Sequence, residues 1–147
     1  MVTLNFSVNI SAPAEKVWKS LWEPENYKKW TAAFNPGSYY KAEKFAEGER
    51  IHFLCDGNGM YSQIQRLIPD KYLAFQHIGN ITNYEEQPVD KETSAWTGAI
   101  ETYTLTEIEN GTALKVALDT DGEYEEFMNR VFAQALELVK EIAENNK

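Results

Sequence analysis

From residue 38 to residue 120 the chain reads as strand after strand separated by short turns, and only one long amphipathic helix, over residues 123–145, is left to cover the apolar face they make. The strands fall at residues 38–45 (a weak one), 50–56, 60–68, 72–78, 94–108 and 112–120. Asp56-Gly57-Asn58-Gly59, Pro69-Asp70 and Asn110-Gly111 supply tight turns between them. Consecutive strands joined this tightly make an antiparallel meander. A seventh strand precedes them: Val2, Leu4, Phe6, Val8 and Ile10 recur every second residue, with Thr3, Asn5, Ser7 and Asn9 on the other face. Two short helices follow it. Ser11-Ala12-Pro13 offers a capping hydroxyl and a first-turn proline, while Pro24 ends one helix and opens the next, where Tyr27 and Trp30 share a face. Thr120-Asp121-Gly122-Glu123 has capping-box spacing ahead of the long helix.

The expected fold is α+β: a curved antiparallel sheet of six to seven strands gripping a long C-terminal helix, with two short helices after the first strand. The 147 residues suit one domain over 1–147, and 43% hydrophobic residues suffice for a core without staples. A bent sheet around one helix often leaves space that side chains do not fill, and small-molecule sites favour such concave apolar spaces.

Composition narrows the partners. With a net charge of −9 the chain repels phosphate backbones, so nucleic acid is set aside. No stretch approaches a membrane span, the first ten residues lack the basic start of a signal peptide, and Cys55 has no disulfide partner, so a cytoplasmic protein without membrane insertion is expected. No metal site and no cofactor motif is read. His52 and His77 fall on separate strands, and Asp119-Thr120-Asp121-Gly122 lacks the remaining ligands of a calcium loop. Cys55 has no base beside it and reads as a small apolar residue near the interior.

The register of the Asn110-Gly111 turn orients the interior. With Glu109 opposite Thr112, Leu105 faces Val116 and Tyr103 faces Leu118, all on the inner side. The same alternation turns Glu101, Ala99 and Thr97 inward and Trp96 outward. Pairing Phe75 with Tyr103 sets His77 opposite Glu101, toward the end that bears residues 79–92, a polar stretch long for a connection. Two readings of His77 and Glu101 stand: a pair that orients a ligand or moves a proton, or a cross-strand pair that satisfies itself at the rim.

Ile10-Ser11-Ala12-Pro13-Ala14-Glu15-Lys16-Val17-Trp18, then Pro24-Glu25 and Lys29-Trp30, resemble the opening of the START-like (SRPBCC, Bet v-type) superfamily. The branch most resembled is that of the bacterial homologues of the activator of heat-shock protein 90 ATPase. Glu47-Gly48, Ile68-Pro69-Asp70-Lys71-Tyr72-Leu73 and Asn110-Gly111-Thr112-Ala113-Leu114 agree with it; Gly48-Glu49 departs from the double glycine of many relatives, and Phe132 stands where a Trp is common. The resemblance implies the helix-grip fold and three kinds of work. The first is non-catalytic binding of a small hydrophobic or amphipathic molecule among Ile51, Phe53, Leu73, Phe75, His77, Glu101, Tyr103, Leu105, Val116, Leu118, Phe127, Met128 and Val131. The second is an aromatase/cyclase-type enzyme using His77, Glu101 or Tyr103. The third is a co-chaperone-like domain with a protein partner.

Overall fold

The computed structural model describes residues 1–145. The elements in chain order are β1 (Val2–Ile10), α1 (Ala14–Trp22), α2 (Pro24–Thr31), β2 (Tyr39–Lys41), β3 (Arg50–Cys55), β4 (Asn58–Ile68), β5 (Tyr72–Thr82), β6 (Glu85–Glu86), β7 (Ile100–Ile108), β8 (Gly111–Thr120) and α3 (Glu125–Asn145). The sheet runs β1-β8-β7-β5-β4-β3-β2, all antiparallel, with β6 paired to β5 beyond the end of β7. Its inner face closes over α3, as expected for a helix-grip fold. Among the described residues no helix is long and apolar enough to cross a membrane.

Packing explains the grip. On α3, Val131, Phe132, Ala135, Leu136, Val139 and Ala143 are buried at helical spacing. Phe132 stacks on Phe6 of β1 at 4.8 Å and meets Phe34 edge-on at 4.9 Å. Trp22 at the end of α1 packs edge-on against Trp30, Phe75 and Tyr103, which joins the short helices to the inner sheet face. Backbone carbonyls hold this plug of rings in place: Trp30 Nε1 donates to Leu21 O at 2.9 Å and the Tyr40 hydroxyl to Trp22 O at 2.5 Å.

Several local expectations are corrected. Ser11 does not cap α1: Pro13 occupies the N-cap position without a side-chain cap, and the Ser11 N–H donates to the Glu144 carboxylate at 2.9 Å. The junction is held by the C-terminal helix instead. Ahead of α3 the cap is Asp121, whose carboxylate accepts from Glu123 N, and residues 122–124 wind as a 3-10 turn before the α-helix begins. The weak strand at 38–45 shrinks to Tyr39–Lys41, since Tyr40 and Phe45 both turn toward Trp22 and the alternation breaks.

The largest departure lies at residues 79–92. β5 runs on to Thr82, because a bulge at Ile78 shifts its register against β4 from Ser62↔His77 to Tyr61↔Gly79. The extra residue reverses the alternation. Asn80 then follows His77 on the inner face, while Ile81 joins Leu54 and Tyr61 in a small outer cluster. Asn83 and Tyr84, at φ 52° and 67°, make a two-residue turn into β6. Beyond it the segment is pinned outside: Glu86 binds Arg50 Nη1 at 2.8 Å and His52 Nε2 at 2.7 Å, and the Tyr61 hydroxyl donates to Gln87 O. Residues 93–95 form a 3-10 turn rather than strand, so alternation counted through residue 96 fails and Trp96 turns toward the interior instead of outward.

Candidate functional site

Between the inner sheet face and the first half of α3 lies a cavity of about 660 Å³. Trp22, Tyr27, Trp30, Phe75 and Tyr103 close its deep end; Phe53, Leu118, Met128 and Phe132 form its sides; Asn58, Asn80, Trp96, Asp119, Asp121 and Tyr124 stand around its mouth. The mouth thus gathers the β3–β4 turn, the end of β5 and the β8–α3 junction, as the meander geometry predicts. A second depression, of about 700 Å³, is a surface groove between Ala32–Ala33 and the Ala133, Gln134, Glu137 and Leu138 side of α3. Glu137 is its one ionisable side chain and it has no aromatic wall, so the chemistry resides in the first.

Phe53, Phe75, His77, Glu101, Tyr103, Leu118 and Met128, proposed from the sequence, line this cavity. Four others do not. Ile51, Leu105 and Val131 are 1%, 6% and 5% exposed and are buried away from the cavity wall. Phe127 sits on the outer side of α3 at 41% exposure, with the Arg130 guanidinium 5.8 Å from its ring centre. The buried stripe of α3 is centred one residue further round than the hydrophobic pattern suggests. Leu73 and Val116 likewise belong to the core.

The register differs from the expected one by two residues. Tyr103 pairs with Val116 and Leu105 with Leu114, while Phe75 pairs with Glu101. A slip of two keeps every side chain on its face. His77 therefore still meets Glu101, but diagonally: its backbone pairs with Ala99, and its Nε2 lies 3.0 Å from Glu101 Oε1.

Around that contact runs a buried polar chain. Ser62 Oγ is 2.6 Å from His77 Nδ1, and the Tyr103 hydroxyl donates to Glu101 Oε2 at 2.5 Å. With Nε2–H donating to the carboxylate, the neutral ring leaves Nδ1 to accept the Ser62 hydroxyl, so one tautomer satisfies all four groups. Ser62, His77 and Tyr103 are almost fully buried, and the Glu101 side chain is 16% exposed. Burial, followed by the Glu101 charge, holds the Tyr103 phenol well above its usual range; burial and then Glu101 do the same for Tyr27. Both phenols keep their protons, and Tyr103 donates its own to Glu101.

The plain sequence signals missed Trp22, Tyr27, Trp30, Asp119, Asp121 and Trp96 as cavity walls. The three-residue spacing of Tyr27 and Trp30 revealed a shared face but not what it faces. Cys55 borders the mouth, with its Sγ 3.4 Å from Pro36 O. Among the described residues no group of three or more His, Cys, Asp or Glu side chains is placed to hold a metal ion.

Comparisons agree with the architecture. The solution structure of the Aha1 dimer from Colwellia psychrerythraea superposes with a TM-score of 0.74 at 24% identity, over 100% of this chain and 99% of that one. Protein MLL2253 from Mesorhizobium loti gives 0.75 at 18%, over 99% of each chain. CalU16 from Micromonospora echinospora gives 0.67 at 17%, over 96% of this chain and 75% of that one. At these identities the likeness is one of fold. No curated protein matches the chain by sequence. The model of the family described as "Activator of Hsp90 ATPase homolog 1-like protein" matches residues 11–144, and the chain belongs to that family.

Proposed function

We propose that this chain binds a small hydrophobic or amphipathic molecule, without transforming it, in the cavity between the sheet and α3. The observation that carries this reading is the space itself: about 660 Å³ remains open beside an aromatic plug that could have filled it. That volume lies within the range of ordinary ligand sites, roughly 300–1,000 Å³, and its wall has their usual make-up of apolar rings with a few convergent polar groups. A solid core would have served stability better, since unfilled apolar space costs about 24 cal/mol per Å³ in core truncations.

Two measurements test it. Native mass spectrometry of the chain from its natural source should show a retained small molecule. The neutral fluorophore N-phenyl-1-naphthylamine should bind the wild type and lose affinity at least tenfold in Ala99→Phe, which fills the cavity wall. Unchanged binding in that variant would place the probe elsewhere and remove the reading.

One observation favours a second reading, an aromatase/cyclase-type enzyme: three members of the Ser62–His77–Glu101–Tyr103 chain, His77, Glu101 and Tyr103, border the cavity. There His77 and Glu101 would move the proton, since Tyr103 holds its own too tightly to be the base. His77→Ala and Glu101→Gln should abolish turnover under this reading and leave retention of the neutral fluorophore nearly intact under the first.

A further inference from the structure

The charge on the cavity wall has one sign. Its acidic lining includes Glu101, Asp119 and Asp121, of which the Asp119 carboxylate accepts from Thr3 Oγ1 and Ile100 N and the Asp121 carboxylate from Glu123 N, and among the described residues no lysine or arginine borders the cavity. A ligand with an anionic head would face those carboxylates with no lysine or arginine beside it, and like charges repel across a binding site. Glu101 spends one lone pair of each oxygen on His77 and Tyr103 and keeps the others. Phe75 is its cross-strand partner, the Tyr103 hydroxyl binds it, and Phe53 packs edge-on against Phe75; aromatic faces carry the negative lobe of the ring quadrupole. A carboxylate beside aromatic rings suits an organic cation.

Two features could oppose that preference. The N-terminus of α3 lies near the mouth, and its dipole favours anions, but Glu123, Glu125 and Glu126 crowd that end with negative charge. A protonated His77 would neutralise Glu101, yet Asp119 and Asp121 would keep the lining negative. We infer that the cavity selects hydrophobic organic cations, ammonium groups on an aryl or alkyl body, over carboxylates and phosphates of the same length. The inference rests on the proposed binding role and supplies its ligand class.

The test uses three probes of equal chain length below their micellar concentrations: decyltrimethylammonium, decanol and decanoate. Binding is read from tryptophan fluorescence, since Trp22, Trp30 and Trp96 line the cavity. At 150 mM salt the ammonium should bind at least tenfold more tightly than decanoate, with decanol between them. Glu101→Gln should narrow that gap to threefold or less. In the wild type, the N-methyl protons should show nuclear Overhauser contacts to the Tyr103 and Phe75 rings, a readout independent of whether the variant folds. If decanol and decanoate bind as tightly as the ammonium, the binding role stands and the charge selection is overturned. A preference that survives Glu101→Gln and vanishes with added salt would belong to the overall charge of −9 and would also overturn it. If none of the three binds, the binding role itself fails.

Discussion

Glu101 accepts a hydrogen bond from His77 Nε2 at 3.0 Å although the two are not cross-strand partners: Phe75 sits opposite Glu101, and the His77 backbone pairs with Ala99. The contact is a diagonal one, reached because both side chains are long and share the inner face. Since Glu101 also accepts from Tyr103, its carboxylate is, among the described residues, the one partner of the His77 Nε2 and Tyr103 hydroxyl donors.

Removing it should therefore cost more than one hydrogen bond. Glu101→Ala strands His77 Nε2 and the Tyr103 hydroxyl, and an expected loss of about 2–4 kcal/mol follows from leaving two buried donors unpaired. Tyr103→Phe removes only the hydroxyl and should cost about 1 kcal/mol. Urea denaturation of the two variants checks the order; equal losses would mean that Glu101 serves Tyr103 alone.

The phenols of Tyr27 and Tyr103 predict alkaline unfolding. Both have folded values raised above the usual 10.0, chiefly by burial, so the folded chain keeps protons that the unfolded chain releases. Stability from this source is complete below pH 10 and is lost as pH rises above it, by up to roughly 1.4 kcal/mol per pH unit for each phenol. Urea midpoints measured from pH 9 upward should fall, and Tyr27→Phe should flatten the slope.

At Gly79 an added Cβ would lie 2.8 Å from the ring of Tyr61, on the outer face beside the bulge. Gly79→Ala should displace that ring, break the Tyr61–Gln87 hydrogen bond and cost about 1–3 kcal/mol. Hydrogen exchange of residues 85–93 should quicken with it. Loss of stability without faster exchange there would mean that the ring does not pin this segment.

Glu86→Ala offers the contrast. Its partners Arg50 and His52 are partly exposed, so the expected loss of global stability is under about 1 kcal/mol. Thermal melting should barely move while residues 85–88 lose exchange protection.

The strand faces show how far pattern alone reaches. Leu73, Phe75 and His77 on one strand, and Glu101, Tyr103 and Leu105 on another, share the inner side whatever the pairing, because alternation survives any even slip. The same period misleads at Ile78, where one unpaired residue exchanges the faces of Asn80 and Ile81. Nothing in Gly79-Asn80-Ile81-Thr82 reveals a bulge, so the stretch reads as loop. Trp96 fails for a related reason, since one 3-10 turn at residues 93–95 cancels the strand count. On α3 the apolar stripe spans Phe127 to Ile142, wide enough that its centre stays ambiguous by one residue, and Phe127 falls outside while Phe132 falls in.

Periodicity and turn chemistry act between near neighbours in the chain, so the order of elements, the antiparallel meander and the inward side of each strand follow from the residues directly. The hollow depends on sums over distant parts: how deep the Trp22 cluster penetrates, which flank of α3 turns inward, and where a bulge re-aims the mouth. Those are settled by volumes packed against one another in three dimensions, and a linear pattern carries no record of them.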